Sequence, residues 1–192
     1  QTCALPISTT FDANEWKLFG QYLKAAADKY HFQQIMVEFG NENWNPMFRP
    51  GGITDYRQHA ITADFAFQQL FLGSNADPRI STVVNAQFAN PDSPKSMAES
   101  SHNATYVAVA PYFLYRLTKE MNADQAIAKA LSESGTLFQQ EVDDAKKNQK
   151  HLAVYEVNLH TTLGDADATL VNQVVTSGVS GVALARRLMQ AS

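Results

Sequence analysis

Two apolar runs in this chain each end in a glutamate. Val37-Glu-Phe-Gly-Asn-Glu-Asn-Trp44 carries Asn41 and Glu42 just past its apolar part, with an indole two residues on. Leu152-Ala-Val-Tyr-Glu-Val-Asn-Leu-His160 repeats the arrangement with Glu156. Two carboxyl groups on the ends of separate strands are what double-displacement cleavage of a glycosidic bond requires. One, kept protonated, gives its proton to the leaving oxygen; the other, kept ionised, attacks the anomeric carbon through a cationic, oxocarbenium-like transition state. In such a site the two groups stand about 5 to 5.5 Å apart. Other side chains near the same strand ends could meet a sugar. Trp44 offers an aromatic plane, Tyr112 a hydroxyl, and Asn85, Gln87, Asn158 and His160 hydrogen-bonding groups for sugar hydroxyls.

Competing chemistries lack their residues. The five histidines (His31, His59, His102, His151 and His160) show no metal-ligand spacing. Gly178-Val-Ser-Gly181 is one residue short of a nucleophile elbow, and neither a phosphate loop nor a dinucleotide-binding glycine pattern occurs. No cofactor is called for. The net charge of -4 and the absence of a basic run argue against a nucleic-acid surface, since Lys146, Lys147 and Lys150 share their stretch with Glu141, Asp143 and Asp144. No apolar stretch reaches the roughly 18 residues of a membrane span.

The elements that must position these residues are legible in order. Asp12 caps a helix with Glu15 as its capping-box partner, and the stripe Trp16, Phe19, Leu23, Ala26 carries it to about Tyr30, where His31-Phe32 ends it. Gln34–Phe39 reads as a buried strand. A Pro- and Gly-containing loop, Asn45 to Gly52, leads to a helix opened by Thr54 or Asp55, carrying Ile61, Phe65, Leu70 and Leu72 and stopped by Gly73. Strands follow at about Arg79–Val84, Tyr106–Ala110 and Leu152–Tyr155. A short helix near Lys95–Ser101 and a long one from Ala123 to about Asn148, irregular near Gly135, separate them. Ala168–Val175 and Val182–Met189 complete the helices. Strands alternating with helices predict an α/β fold with a parallel sheet, and polar strand tips predict a site at its C-terminal edge. Four strands fall short of the eight that close a TIM (β/α)8 barrel, so the expected architecture is a partial one.

The heptapeptide Gln1-Thr-Cys-Ala-Leu-Pro-Ile7 reads as a translated sequencing adapter, a non-native scar. It is set aside from the fold, together with Cys3, the one cysteine, which leaves residues 8–192 as a partial barrel domain.

The Asn41-Glu42 pair, a lone Glu156 three strands later and Tyr112 on the strand between resemble the clan of (β/α)8 glycoside hydrolases whose carboxylates sit on strands four and seven. That resemblance covers Phe11 to the C-terminus and implies strands four to seven. It implies Glu42 as acid/base, Asn41 as ligand of the sugar 2-hydroxyl, Glu156 as nucleophile and Tyr112 as its neighbour. Tyr155-Glu-Val-Asn-Leu-His-Thr-Thr162 with Ala183-Leu-Ala-Arg-Arg-Leu188 looks most like the α-L-arabinofuranosidase-like branch, although Val157 follows Glu156 where that branch usually has Trp. The expected partner is a carbohydrate substrate, and a polysaccharide hydrolase would work in a secreted or periplasmic setting. Two alternatives stand beside this reading: a barrel that binds carbohydrate without cleaving it, and an inactive fragment of a hydrolase.

Overall fold

The structure, a computed structural model, describes residues 2–7, 9–45, 53, 55–132 and 136–191. Most of the expected Asn45 to Gly52 loop, and Gly135, lie outside them. The chain divides into two compact units, Gln1–Val109 with Glu141–Ala153 and Ala110–Gln140 with Val154–Ser192.

The first unit is built on a five-stranded sheet. Its strands are β1 (Thr2–Ile7), β2 (Gln34–Phe39), β3 (Ile80–Asn85), β4 (Tyr106–Val109) and, from later in the chain, β6 (His151–Val154), in the order β1-β2-β3-β4-β6. The β1–β2, β2–β3 and β3–β4 pairs are parallel. β1 departs from expectation. The heptapeptide set aside from the fold is paired along its backbone with the edge of β2, from Thr2 opposite Gln34 to Ile7 opposite Phe39. Its run of small and apolar residues satisfies the strand pattern whatever its origin.

Helices connect these strands, as a parallel sheet demands. α1 (Ala13–Tyr30) starts on the predicted capping box: Asp12 Oδ1 accepts from Glu15 N at 2.8 Å, Glu15 Oε2 accepts from Asp12 N at 2.8 Å, and His31 ends the helix in the left-handed conformation. α2 (Tyr56–Ser74) is capped by Asp55 and stops at Asn75. Gly73 therefore lies inside α2 and serves a different purpose from the expected stop. A Cβ on it would fall 1.9 Å from the carbonyl oxygen of Lys17, and a Cβ on Gly20 would fall 2.1 Å from that of Leu70. The two helices cross backbone to backbone at these glycines. Gly73→Ala should cost about 1–3 kcal/mol through overpacking, read as a lower urea midpoint; an unchanged midpoint would show that the crossing is looser than this.

The apolar stripe of α2 also differs from the expected one. Leu70 is buried, but Ile61, Phe65 and Leu72 are exposed, and the inward face is His59, Ala60, Ala63, Ala66 and Phe67. Small residues face inward because α1 lies so close. In the core Trp16 stacks on Phe39 with centroids 5.8 Å apart, and Phe67 meets Phe39 edge-on at 6.2 Å. α3 (Asp92–Ser100) begins three residues before its expected start and takes in Pro94 within its first turn, where the missing N–H costs nothing.

The second unit contains α4 (Ala123–Ser132), the first part of α5 (Thr136–Lys147), α6 (Ala168–Val175) and α7 (Gly178–Ala191). Of the long helix expected from Ala123 to Asn148, the described residues form α4 up to Ser132 and α5 from Thr136. A two-stranded parallel sheet of β5 (Arg116–Leu117) and β7 (Leu163–Gly164) was too short to announce itself in the sequence. Phe113, Leu114, Leu117, Ala126, Ala130, Val174 and Ala183 make this unit's core. Among the described residues no single helix is long and apolar enough to cross a membrane.

Candidate active site

The first unit presents Asn41 and Glu42 on a tight turn past the end of β2. Gly40 has φ +71°, and a Cβ there would come within 2.3 Å of the Asn43 amide, so only glycine fits. Glu42 has φ +43°, a left-handed conformation that costs a residue with a side chain about 1 kcal/mol or more. Such strain persists only where surrounding bonds over-determine the backbone. Here the Phe39 carbonyl accepts from Asn43 Nδ2 at 2.7 Å and from Asn85 Nδ2 at 3.0 Å, while Asn85 Oδ1 accepts from Asn43 N at 3.0 Å. Asn43 Nδ2 also lies 3.0 Å from His59 Nε2. Burial pushes His59 down to about 4, so the ring is neutral at physiological pH and its Nε2 is the acceptor. Behind this clamp Phe39 and His59 pack at 5.2 Å, which ties the turn to the aromatic core.

The sequence-derived candidates therefore occupy different stations. Asn41 is exposed on the turn, and Glu42 and Trp44 are half-buried. Asn85 is fully buried, with its amide engaged by the turn. Gln87 is half-buried in a small cluster of its own: its Oε1 accepts from the Tyr56 hydroxyl at 3.1 Å, and that hydroxyl accepts from Asn90 Nδ2 at 3.1 Å.

Glu38, which sequence reading passed over, belongs with this group. Along β2 the residues Ile35, Val37 and Phe39 are buried while Gln34, Met36 and Glu38 alternate with them on the other face. Gln34 shows the character of that face, since its Nε2 reaches Ser81 Oγ at 3.3 Å and the Tyr106 hydroxyl at 3.4 Å. Burial raises the Glu38 carboxyl to about 7; a hydrogen bond with Asn85 opposes the rise and the charge of Glu42 adds to it.

The second unit presents Glu156, exposed just past β6. The Tyr112 hydroxyl donates to Glu156 Oε2 at 2.6 Å. The Tyr112 ring stacks on His160, centroids 5.1 Å apart and planes 25° apart, and His160 meets Tyr115 at 5.0 Å on a tilted approach. His160 Nδ1 pairs with Thr162 Oγ1 at 2.9 Å. The backbone fixes the same segment: Phe113 N donates to the Asn158 carbonyl at 3.2 Å and His160 N to the Phe113 carbonyl at 2.9 Å. Asn158 is exposed, and its side chain accepts from the next amide, Leu159 N, at 2.8 Å. This unit thus gathers Tyr112, Glu156 and His160 into one cluster, and Tyr115 is the member that the sequence did not single out. Among the described residues no group of three His, Cys, Asp or Glu side chains could hold a metal ion.

No family model matches the chain. No curated protein matches its sequence. Solved structures do resemble its fold. An α-L-arabinofuranosidase from Thermotoga maritima, solved with arabinose, superposes with a TM-score of 0.53 at 14% identity, over 80% of this chain and 34% of that one. A second arabinofuranosidase gives 0.54 at 14% identity, over 84% and 35%. A GH51 arabinofuranosidase from Xanthomonas axonopodis pv. citri gives 0.51 at 15% identity, over 81% and 36%. At such identities the likeness is one of fold, and the chain spans about a third of the length of these structures. The α/β fold with its parallel sheet is that of part of a TIM barrel.

Proposed function

We propose that this chain carries the two catalytic carboxylates of a retaining glycoside hydrolase, with an α-L-arabinofuranosidase-like substrate. In the first step a Glu156 oxygen attacks the anomeric carbon, the glycosidic C–O bond breaks, and the Glu42 carboxylic acid gives its proton to the leaving oxygen. In the second step Glu42, now ionised, takes a proton from water. The water oxygen attacks the same carbon and Glu156 departs as carboxylate. Asn41 meets the sugar 2-hydroxyl, and Trp44 stacks on the sugar.

The observation that carries this reading is the 2.6 Å hydrogen bond from Tyr112 to Glu156. A phenol donating to one carboxylate oxygen sets the plane of the group, so the other oxygen is the one presented for attack. The strained turn that holds Glu42 points the same way, because strain kept in place by several hydrogen bonds is a common mark of functional sites.

The test is hydrolysis of para-nitrophenyl α-L-arabinofuranoside followed by proton NMR. The first-formed sugar should keep the anomeric configuration of the substrate. Inversion would rule out a glycosyl-enzyme intermediate, and sugar binding without turnover would leave a carbohydrate-binding barrel.

A further inference from the structure

We propose that His160 is a positioning residue for Glu156 that acts through Tyr112, rather than a ligand of the sugar. The role of Glu156 rests on the hydrolase reading; the positioning rests on geometry within the second unit. The Tyr112 hydroxyl donates to Glu156 Oε2 at 2.6 Å. That hydroxyl sits at the far end of a flat ring, so a small tilt of the ring carries it off the carboxylate and weakens the bond. The imidazole of His160 opposes the tilt. It stacks on the Tyr112 ring with centroids 5.1 Å and planes 25° apart, and Tyr115 meets it at 5.0 Å and 48°. Its own Nδ1 is held 2.9 Å from Thr162 Oγ1.

The backbone is bent in a way that makes this stack possible. Tyr112 and Tyr115 are three residues apart, and in a regular strand such side chains point to opposite faces. Between them Leu114 has φ +58°, a left-handed conformation that a leucine keeps only where its surroundings over-determine it. This one residue breaks the alternation, and both phenol rings reach the same imidazole. Leu114 is fully buried in the core of the unit, which holds the kink in place. The two loops are joined independently through their backbones. Phe113 N donates to the Asn158 carbonyl, His160 N to the Phe113 carbonyl and Leu163 N, at 3.0 Å, to the Tyr115 carbonyl. None of these bonds uses the imidazole, so removing the ring takes away the platform under Tyr112 and leaves the loops joined.

The test compares His160→Phe, which keeps a flat ring, with His160→Ala, which removes it. The chain is labelled with carbon-13 at the tyrosine ζ carbon, and the Tyr112 signal is assigned through Tyr112→Phe. Glu156→Gln should shift that signal, because a neutral amide replaces the charged acceptor. The shift should persist in the His160→Phe background and largely vanish in His160→Ala. A shift undiminished in His160→Ala, or absent in the parent, overturns the proposal. Should His160→Ala not fold, Thr162→Val decides: it removes only the exposed hydroxyl at Nδ1, the shift should shrink, and an unchanged one overturns the proposal equally. In a preparation that hydrolyses glycosides, His160→Ala should lower kcat with KM little changed, and His160→Phe should keep most of the parent's kcat. Adding His160→Ala to Tyr112→Phe should cost nothing further, since both remove the same bond. An equal rise in KM for both His160 variants would make His160 a sugar ligand and overturn the positioning role. The carbon signal needs no turnover, so a chain that keeps the Tyr112 response and hydrolyses nothing fails the hydrolase reading alone.

Discussion

In a preparation of this protein that cleaves an aryl arabinofuranoside, Glu156→Ala should lower turnover by several orders of magnitude, and azide should restore part of it. The alanine removes the atom that attacks the anomeric carbon, so the first half of the double displacement has no nucleophile. It also opens space on that face of the sugar. Azide entering there displaces the aglycone in a single step, so the glycosyl azide has the configuration opposite to the substrate. Glu42→Gln should behave differently. It removes the proton donor, so substrates with poor leaving groups should suffer most, while an activated aryl leaving group that departs without a proton should be spared in the first step. Tyr112→Phe keeps the ring that stacks on His160 and deletes only the hydroxyl that reaches Glu156 at 2.6 Å. A hydrogen bond to a charged group contributes about 1.5–3 kcal/mol, so this variant should lose roughly ten- to a hundredfold. Full activity in Glu156→Ala, or an azide product of retained configuration, would remove Glu156 from the role of nucleophile.

The sequence carried the elements that obey a strong local rule. The α1 capping box was readable because Asp12 and Glu15 need only their own neighbours to bond. The strand Gln34–Phe39 was readable because its apolar residues are consecutive and bounded. What stayed hidden depends on contacts distant along the chain. Gly73 looks like a helix stop until Lys17 is found against it. Asn85 looks like a free strand-tip amide, yet its partners are Phe39 and Asn43, more than forty residues away. Glu38 was concealed in what read as a simple apolar run. Its alternation with Ile35, Val37 and Phe39 was available as a period-two signal. The Tyr112–His160 stack likewise joins two loops that no spacing rule connects.

Glu141 shows the same limit with a larger energetic consequence. Its stretch of the chain reads as a solvated charged helix, with Asp143, Asp144, Lys146 and Lys147 close by. In the structure Glu141 is 1% exposed, and among the described residues neither carboxyl oxygen has a hydrogen-bond partner. Burial first, and then the charge of Asp144, push its carboxyl up to about 9 from an ordinary 4.5. The folded chain therefore holds this proton over a window in which the unfolded chain has released it. Below about pH 4.5 both states are protonated and the full stability is present. As pH rises from there to about 9, stability falls by roughly 1.4 kcal/mol per unit, and beyond that this group changes nothing further. Glu141→Leu, similar in volume and without a charge to bury, should remove that slope. In urea titrations the variant should exceed the parent by several kcal/mol at pH 8, and the excess should shrink steadily toward pH 4.5. Comparing the two proteins at each pH cancels the contributions of all other titrating groups. An excess equal at both ends would assign the gain to packing rather than ionisation, and no excess at pH 8 would mean that the carboxyl finds water or a partner in solution.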